Sequence, residues 1–162
     1  MKRTLVISLV VMAALLSSFS WSEDKQPDRH IVISKQRFLL SVVEGTDTVW
    51  QVPIGVGLNY GNKQRSGDKR TPEGTFPVKR VLDSRFLTHD LGDGAGPRKG
   101  VYGPWFITLD VPGYIGIGIH GTCFPESIGT RCTEGCVRML NSDIEKLVEM
   151  VFVGMKCTIE PD

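Results

Sequence analysis

Apolar residues along this chain fall in short β-type runs separated by polar, glycine-bearing turns, the pattern of β-strands. His30 to Ser34 and Arg37 to Glu44 predict two strands joined at Lys35-Gln36. Gly45-Thr46-Asp47 predicts a turn, and Thr48 to Val56 a third strand. Leu58 to Arg70 is polar and reads as an exposed loop, with Lys63 to Arg70 as its solvated part. Thr71-Pro72-Glu73-Gly74 is a turn signal, and Phe76 to Leu82 resumes a strand. Leu91 to Gly100, rich in glycine, lacks the ending of a phosphate loop and reads as a plain connection. Trp105 to Val111, Ile115 to His120 and Met155 to Glu160 are further strands.

The period changes once. Ile144, Leu147, Val148 and Val151 fall at helical spacing. Ser142 and Glu145 read as an S-x-x-E capping box, and Gly154 as the stop. The expected fold is mainly β, a sandwich or barrel-like mixed sheet, with one C-terminal-half helix packed near the active-site loop.

The N-terminus departs from this pattern. Lys2 and Arg3 precede Leu5 to Leu16, in which Ser8 is the only polar residue. Ser18-Phe19-Ser20 and Ser20-Trp21-Ser22 are candidate cleavage sites. Residues 1–22 are therefore expected to be a signal peptide, 23–29 a short tether and 30–162 one domain. The alternative is an uncleaved anchor, although the apolar run is short for a membrane span. Export places the substrate outside the cytoplasm, in a periplasm or cell-wall compartment. Charge argues against a nucleic-acid partner. The chain has 19 basic and 18 acidic residues, and losing Lys2 and Arg3 leaves 17 against 18.

Candidate chemistry concentrates between His120 and Met139. His120 sits in an HGT turn at a strand end, where loops carry function on a rigid scaffold. Cys136 follows sixteen positions later, behind Gly135. A histidine and a cysteine are the minimum for thiol catalysis: a base to hold the thiolate, and a soft nucleophile to take an acyl group. His30 and His89 lack such context and read as ordinary surface or strand residues. Four cysteines, Cys123, Cys132, Cys136 and Cys157, allow three full pairings. With Cys136 free, a Cys123–Cys132 bridge would staple the loop between base and nucleophile, and Cys157 reads as a small buried hydrophobe.

These motifs resemble the L,D-transpeptidase catalytic domain family (YkuD or ErfK type). IVISKQRFLLSVVEG looks like that family's first hairpin, GDKRTPEGTF like its T-P-x-G-x-F turn, and YGPWFITL like the strand before its histidine. His120-Gly121-Thr122 matches the family's HG[ST]. Thr133, Gly135, Cys136, Val137, Arg138 and Met139 match [ST]HGC[IV]R[ML]. Glu134 departs, standing where the family usually has a second histidine. A carboxylate there would raise the thiol's pKa if it came close, or could face a substrate ammonium.

The resemblance implies peptidoglycan stem peptides as donor and acceptor, no cofactor and no metal. Cys136 would attack the bond between residue 3 and D-Ala 4 of a tetrapeptide stem, release D-Ala and leave a thioester. An acceptor amine would then form a 3–3 cross-link. His120 is the expected acid and base, Gly135 with Cys136 the oxyanion donors, and Gly121 the carbonyl that orients His120. Arg138, Tyr102, Gly116, Thr122, Thr133 and Glu134 are weaker substrate-contact candidates. For Arg138 a structural salt bridge is an equal alternative. Water as acceptor would make an L,D-carboxypeptidase, and a lysine of a wall-anchored protein would give attachment. Remote alternatives are a zinc module using His120, Cys123, Cys132 and Cys136, and a non-catalytic wall-binding domain.

Overall fold

The structure is a computed structural model that describes residues 28–162. The expected signal peptide and most of the tether lie outside the described residues. Arg29, read as the tether's end, opens the first strand.

Twelve strands follow: β1 (Arg29–Ser34), β2 (Leu39–Glu44), β3 (Asp47–Pro53), β4 (Val56–Gly57), β5 (Gly74–Asp83), β6 (Thr88–His89), β7 (Arg98–Lys99), β8 (Trp105–Leu109), β9 (Gly118–His120), β10 (Arg131–Thr133), β11 (Val137–Arg138) and β12 (Lys156–Glu160). The helix α1 (Asn141–Met150) lies between β11 and β12. Eight strands form one mixed sheet in the order β11-β9-β8-β5-β12-β1-β2-β3. The β1–β12 and β9–β11 pairs are parallel, and the remaining neighbours antiparallel. The domain is thus mainly β, as the short β-type runs predict.

Register explains the core. Ile31 pairs with Val42 on one side and Cys157 on the other; Ile33 pairs with Leu40 and Ile159. All six are buried, so two rows of apolar side chains cross three strands on one face. Cys157 fills its row as a small hydrophobe. Burial of Ile144 and Leu147 docks α1 against β8 and β9, behind the histidine strand.

Several boundaries differ from expectation. Strand β2 starts at Leu39, because Phe38 takes a left-handed φ of 53° and its carbonyl accepts from Ile54 N–H at 2.9 Å. The predicted third strand breaks after Pro53 and resumes at Val56. The capping box does not form: the helix cap is Leu140, in an extended conformation with no side-chain cap bond, and Ser142 lies inside the helix. The helix stops at Met150, and Gly154 turns the chain later, on the way to β12.

Residues 54–58 bend from the β3 edge of the sheet to its β11 edge. Gly55 and Arg138 exchange two backbone hydrogen bonds, at 2.7 and 2.8 Å. Strand β4 pairs in parallel with β10. These bonds curl the sheet and hold the cysteine segment between β9 and the chain at Gly55.

Candidate active site

His120 ends β9 and is buried. Its Nδ1–H donates to the Gly121 carbonyl at 2.6 Å. A carbonyl only accepts, so the proton sits on Nδ1 and Nε2 keeps its lone pair. The ring stacks on Phe106 at 5.2 Å and meets Tyr102 edge-on at 5.0 Å. Burial pulls its pKa down to about 4, against the Gly121 hydrogen bond, with the charges of Arg138 and His89 adding to the fall. The ring is neutral at neutral pH and can accept a proton.

The turn that orients it is built on close backbone approach. A Cβ on Gly103 would lie 2.7 Å from Gly121 Cα and 2.8 Å from Thr122 N, and one on Gly121 would run into Asn141 Oδ1. Asn141 Oδ1 accepts from Thr122 N–H at 2.8 Å, tying the HGT turn to the start of α1. Thr122 is buried, and its hydroxyl accepts from Phe124 N–H. It supports the turn and does not line the cleft.

Cys136 enters between β10 and β11. The Thr133 hydroxyl donates to the Cys136 carbonyl at 2.5 Å and accepts from Gly135 N–H at 3.2 Å. That second bond engages the Gly135 amide, one of the two expected oxyanion donors, with a side-chain hydroxyl. Gly135 has φ +134°, and a Cβ there would sit 2.8 Å from the Arg70 carbonyl, so its side-chain-free backbone is required. The Cys136 thiol donates to the Gly116 carbonyl at 3.2 Å. Burial pushes the thiol up to about 11, and the Glu134 charge adds to this. A Gly118 backbone hydrogen bond and the charges of Lys63 and Arg138 work the other way. A thiol held up and an imidazole held down favour thiol and neutral imidazole at rest over a held thiolate.

Both residues line one cleft of about 410 Å³, with Tyr102, Gly116, Thr133, Glu134 and Arg138 also on its wall. Arg138 is buried; it donates to Ser127 Oγ at 2.9 Å and lies 5.7 Å from the Phe124 ring centre. No carboxylate pairs with it among the described residues, so the salt-bridge alternative does not hold. Glu134 is exposed at the rim.

All four cysteines are free. The Cys123–Cys132 bridge is not formed: Cys123 faces solvent, whereas Cys132 lines the cleft with Sγ packed over Gly55. Among the described residues no three His, Cys, Asp or Glu side chains gather to hold a metal ion, so the four proposed zinc ligands do not converge.

Three residues escaped the sequence reading. His89 is part of the cleft: its Nδ1 is 2.9 Å from Tyr102 Oη and its Nε2 3.8 Å from Glu134. Lys63, expected in a solvated loop, is buried and ion-paired with Asp68 at 2.8 Å. Asn141 pins the histidine turn. The only signal for the lysine was an opposite charge five residues on, in an otherwise polar loop.

The chain matches the family model described as YkuD, L,D-transpeptidase catalytic domain, over residues 28–159. It is 40% identical over 127 residues to a putative L,D-transpeptidase YkuD of Bacillus subtilis (strain 168), covering 73% of each chain. It is 30% identical over 151 residues to a probable L,D-transpeptidase YbiS of Escherichia coli (strain K12), covering 82% of this chain and 47% of that one. Among solved structures, an L,D-transpeptidase from Mycobacterium smegmatis superposes with a TM-score of 0.60 at 20% identity, over 83% of this chain and 59% of that one. The helical cell shape determining protein Pgp2 from Campylobacter jejuni gives 0.61 at 22%, over 85% and 49%. The chain spans about half the length of the E. coli and Pgp2 chains. These structural likenesses concern the fold; the family match, over nearly all the described residues and with the Cys136 and His120 motifs inside it, places this chain in the YkuD family of L,D-transpeptidase catalytic domains.

Proposed function

We propose that this domain is a cysteine-dependent peptidoglycan L,D-transpeptidase that forms 3–3 cross-links, acting outside the cytoplasm. The observation that carries the reading is the pair itself: a thiol and a neutral imidazole with a free Nε2, in one cleft.

As the thiol approaches the carbonyl of residue 3 of a tetrapeptide stem, His120 Nε2 takes its proton. The sulfur–carbon bond forms, and the carbonyl oxygen takes the negative charge. Collapse breaks the bond to D-Ala, whose nitrogen receives the proton from His120, and leaves a thioester on Cys136. The amine of a second stem then attacks the thioester and gives its proton to His120. The new amide forms, the carbon–sulfur bond breaks, and the proton returns to the sulfur. A base with a pKa of about 4 and a thiol near 11 make the transfer uphill at rest, so attack and proton transfer proceed together.

The test is mass-resolved product analysis of the protein with a purified tetrapeptide muropeptide, beside Cys136→Ala. A dimer lacking one D-Ala, absent with the variant, is the expected result. Tripeptide alone would assign the same site to L,D-carboxypeptidase activity instead. Turnover by Cys136→Ala would sink the cysteine mechanism.

A further inference from the structure

Lys63 stands out among the charged groups of the cleft. Its side chain is only 4% exposed, yet it lines the same cavity as Cys136 and His120. Taking an ammonium out of water is costly unless its charge and its donors are used. Its one hydrogen bond among the described residues goes to Asp68 Oδ1. Asp68 is itself held by the backbone N–H groups of Gln64, Arg65 and Arg70, at 2.7 to 3.1 Å, so three amides share the carboxylate with the lysine. An ammonium has three N–H donors, and Asp68 takes one. Nζ lies 3.5 Å from the position a Cβ on Gly135 would occupy, beside the residue that precedes the nucleophile, and 5.2 Å from the Tyr114 ring centre. The cleft's other buried cation, Arg138, is turned to Ser127 and Phe124.

We propose that Lys63 is a specificity-determining residue whose ammonium, braced by Asp68 beside Gly135, binds a substrate carboxylate next to the bond that Cys136 attacks. The proposal rests on the reading of Cys136 as the nucleophile. In a tetrapeptide stem, one such carboxylate ends the residue that leaves, immediately beyond the cleaved bond. The other source is a carboxylate on the side chain of residue 3. A braced ammonium at this place favours substrates with a free acid there over those blocked as amides. Its charge also draws the Cys136 thiol downward, against burial.

Anionic and neutral alkylating agents test this without any turnover. Cys136 and the exposed Cys123 are labelled at pH 9 with iodoacetate or iodoacetamide, and each site is read by peptide mass mapping. Cys123 serves as the internal reference. In the native protein the iodoacetate-to-iodoacetamide rate ratio is expected to be about threefold to tenfold higher at Cys136 than at Cys123, and to shrink as salt is raised. Lys63→Met should bring it to the Cys123 value, and Lys63→Arg should retain most of it. A native ratio no higher than that of Cys123 overturns the proposal. So does a Lys63→Met variant that slows both reagents alike, since the lysine would then act only on the thiol. If Lys63→Met does not fold, protection of native Cys136 from iodoacetamide by N-acetyl-D-alanine, set against its amide, decides. Better protection by the acid is expected, and equal protection overturns the binding of a carboxylate.

Stem peptides separate the two sources. A C-terminal amide that raises KM about tenfold in the native protein and equally in Lys63→Met would contradict the role. The same rise lost in Lys63→Met assigns the leaving residue. An unchanged KM for that amide, with a rise on amidation of residue 3, assigns the other carboxylate. Absence of cross-linked product would refute transpeptidation while leaving the labelling result intact.

Discussion

Cys136 should label as a thiol and not as a preformed thiolate. With its pKa at about 11, only about one molecule in ten thousand is ionised at pH 7, against a few per cent for an ordinary cysteine near 8.5. The more basic sulfur is intrinsically more nucleophilic, with a Brønsted slope of about 0.4–0.5, which recovers roughly a decade. The net expectation is alkylation by iodoacetamide roughly twentyfold slower than an unperturbed thiol at pH 7, rising nearly tenfold per pH unit up to pH 9. The assay is site-resolved alkylation of Cys136 by mass spectrometry between pH 5 and 10, on the native protein and His120→Ala. Because His120 is neutral at rest, the variant should change the labelling rate at pH 9 by less than about threefold while abolishing turnover. A fast plateau extending below pH 7, lost on His120→Ala, would mean a thiolate–imidazolium pair at rest and would refute the reasoning.

Acidification should weaken the fold through His120. Its folded pKa, about 4, lies below the ordinary value, so its contribution is complete above about pH 6.5 and is lost as pH falls towards 4, by up to about 3 kcal/mol. Urea midpoints at pH 7, 5.5 and 4 should show this slope, and His120→Leu should flatten it; parallel slopes would count against the assignment. Gly103→Ala places a methyl into the backbone of the histidine turn at φ +64°, and should cost about 1–3 kcal/mol and most of the activity, read by thermal melting and product assay. Lys35→Met removes a fully buried ammonium from between Glu73 and Asp162, and should lower unfolding free energy by about 3–5 kcal/mol in urea titration.

What the sequence made legible was what repeats locally. Short β-type runs located the central strands, the helical stripe located α1, and glycines flanking His120 and Cys136 marked the candidate pair. Buried charges were not legible, because what covers them, and for Lys35 what pairs with it, comes from far along the chain. Lys35 reads as a turn residue until Glu73, 38 residues away, and Asp162, 127 residues away, supply its carboxylates. Lys63 reads as solvated until the cleft wall covers it. His89 gains its setting only from Tyr102 and Glu134, on other segments. The capping motif misled because the chain enters the helix through an extended Leu140, and Asn141 spends its side chain on the histidine turn. Short strands such as β4, β10 and β11 hold too few residues to establish any period.

The two hydrogen bonds between Gly55 and Arg138 also tie the placement of Cys136 to a part of the chain far upstream. The segment that follows Cys136 is clamped by residues more than eighty positions earlier, and by β9 on its other side. Closing so long a loop carries a larger entropy cost than closing a short one. Substitutions that weaken the chain at Gly55 are therefore expected to loosen the Cys136 segment from a distance, on the side away from His120, while β9 still pairs with it.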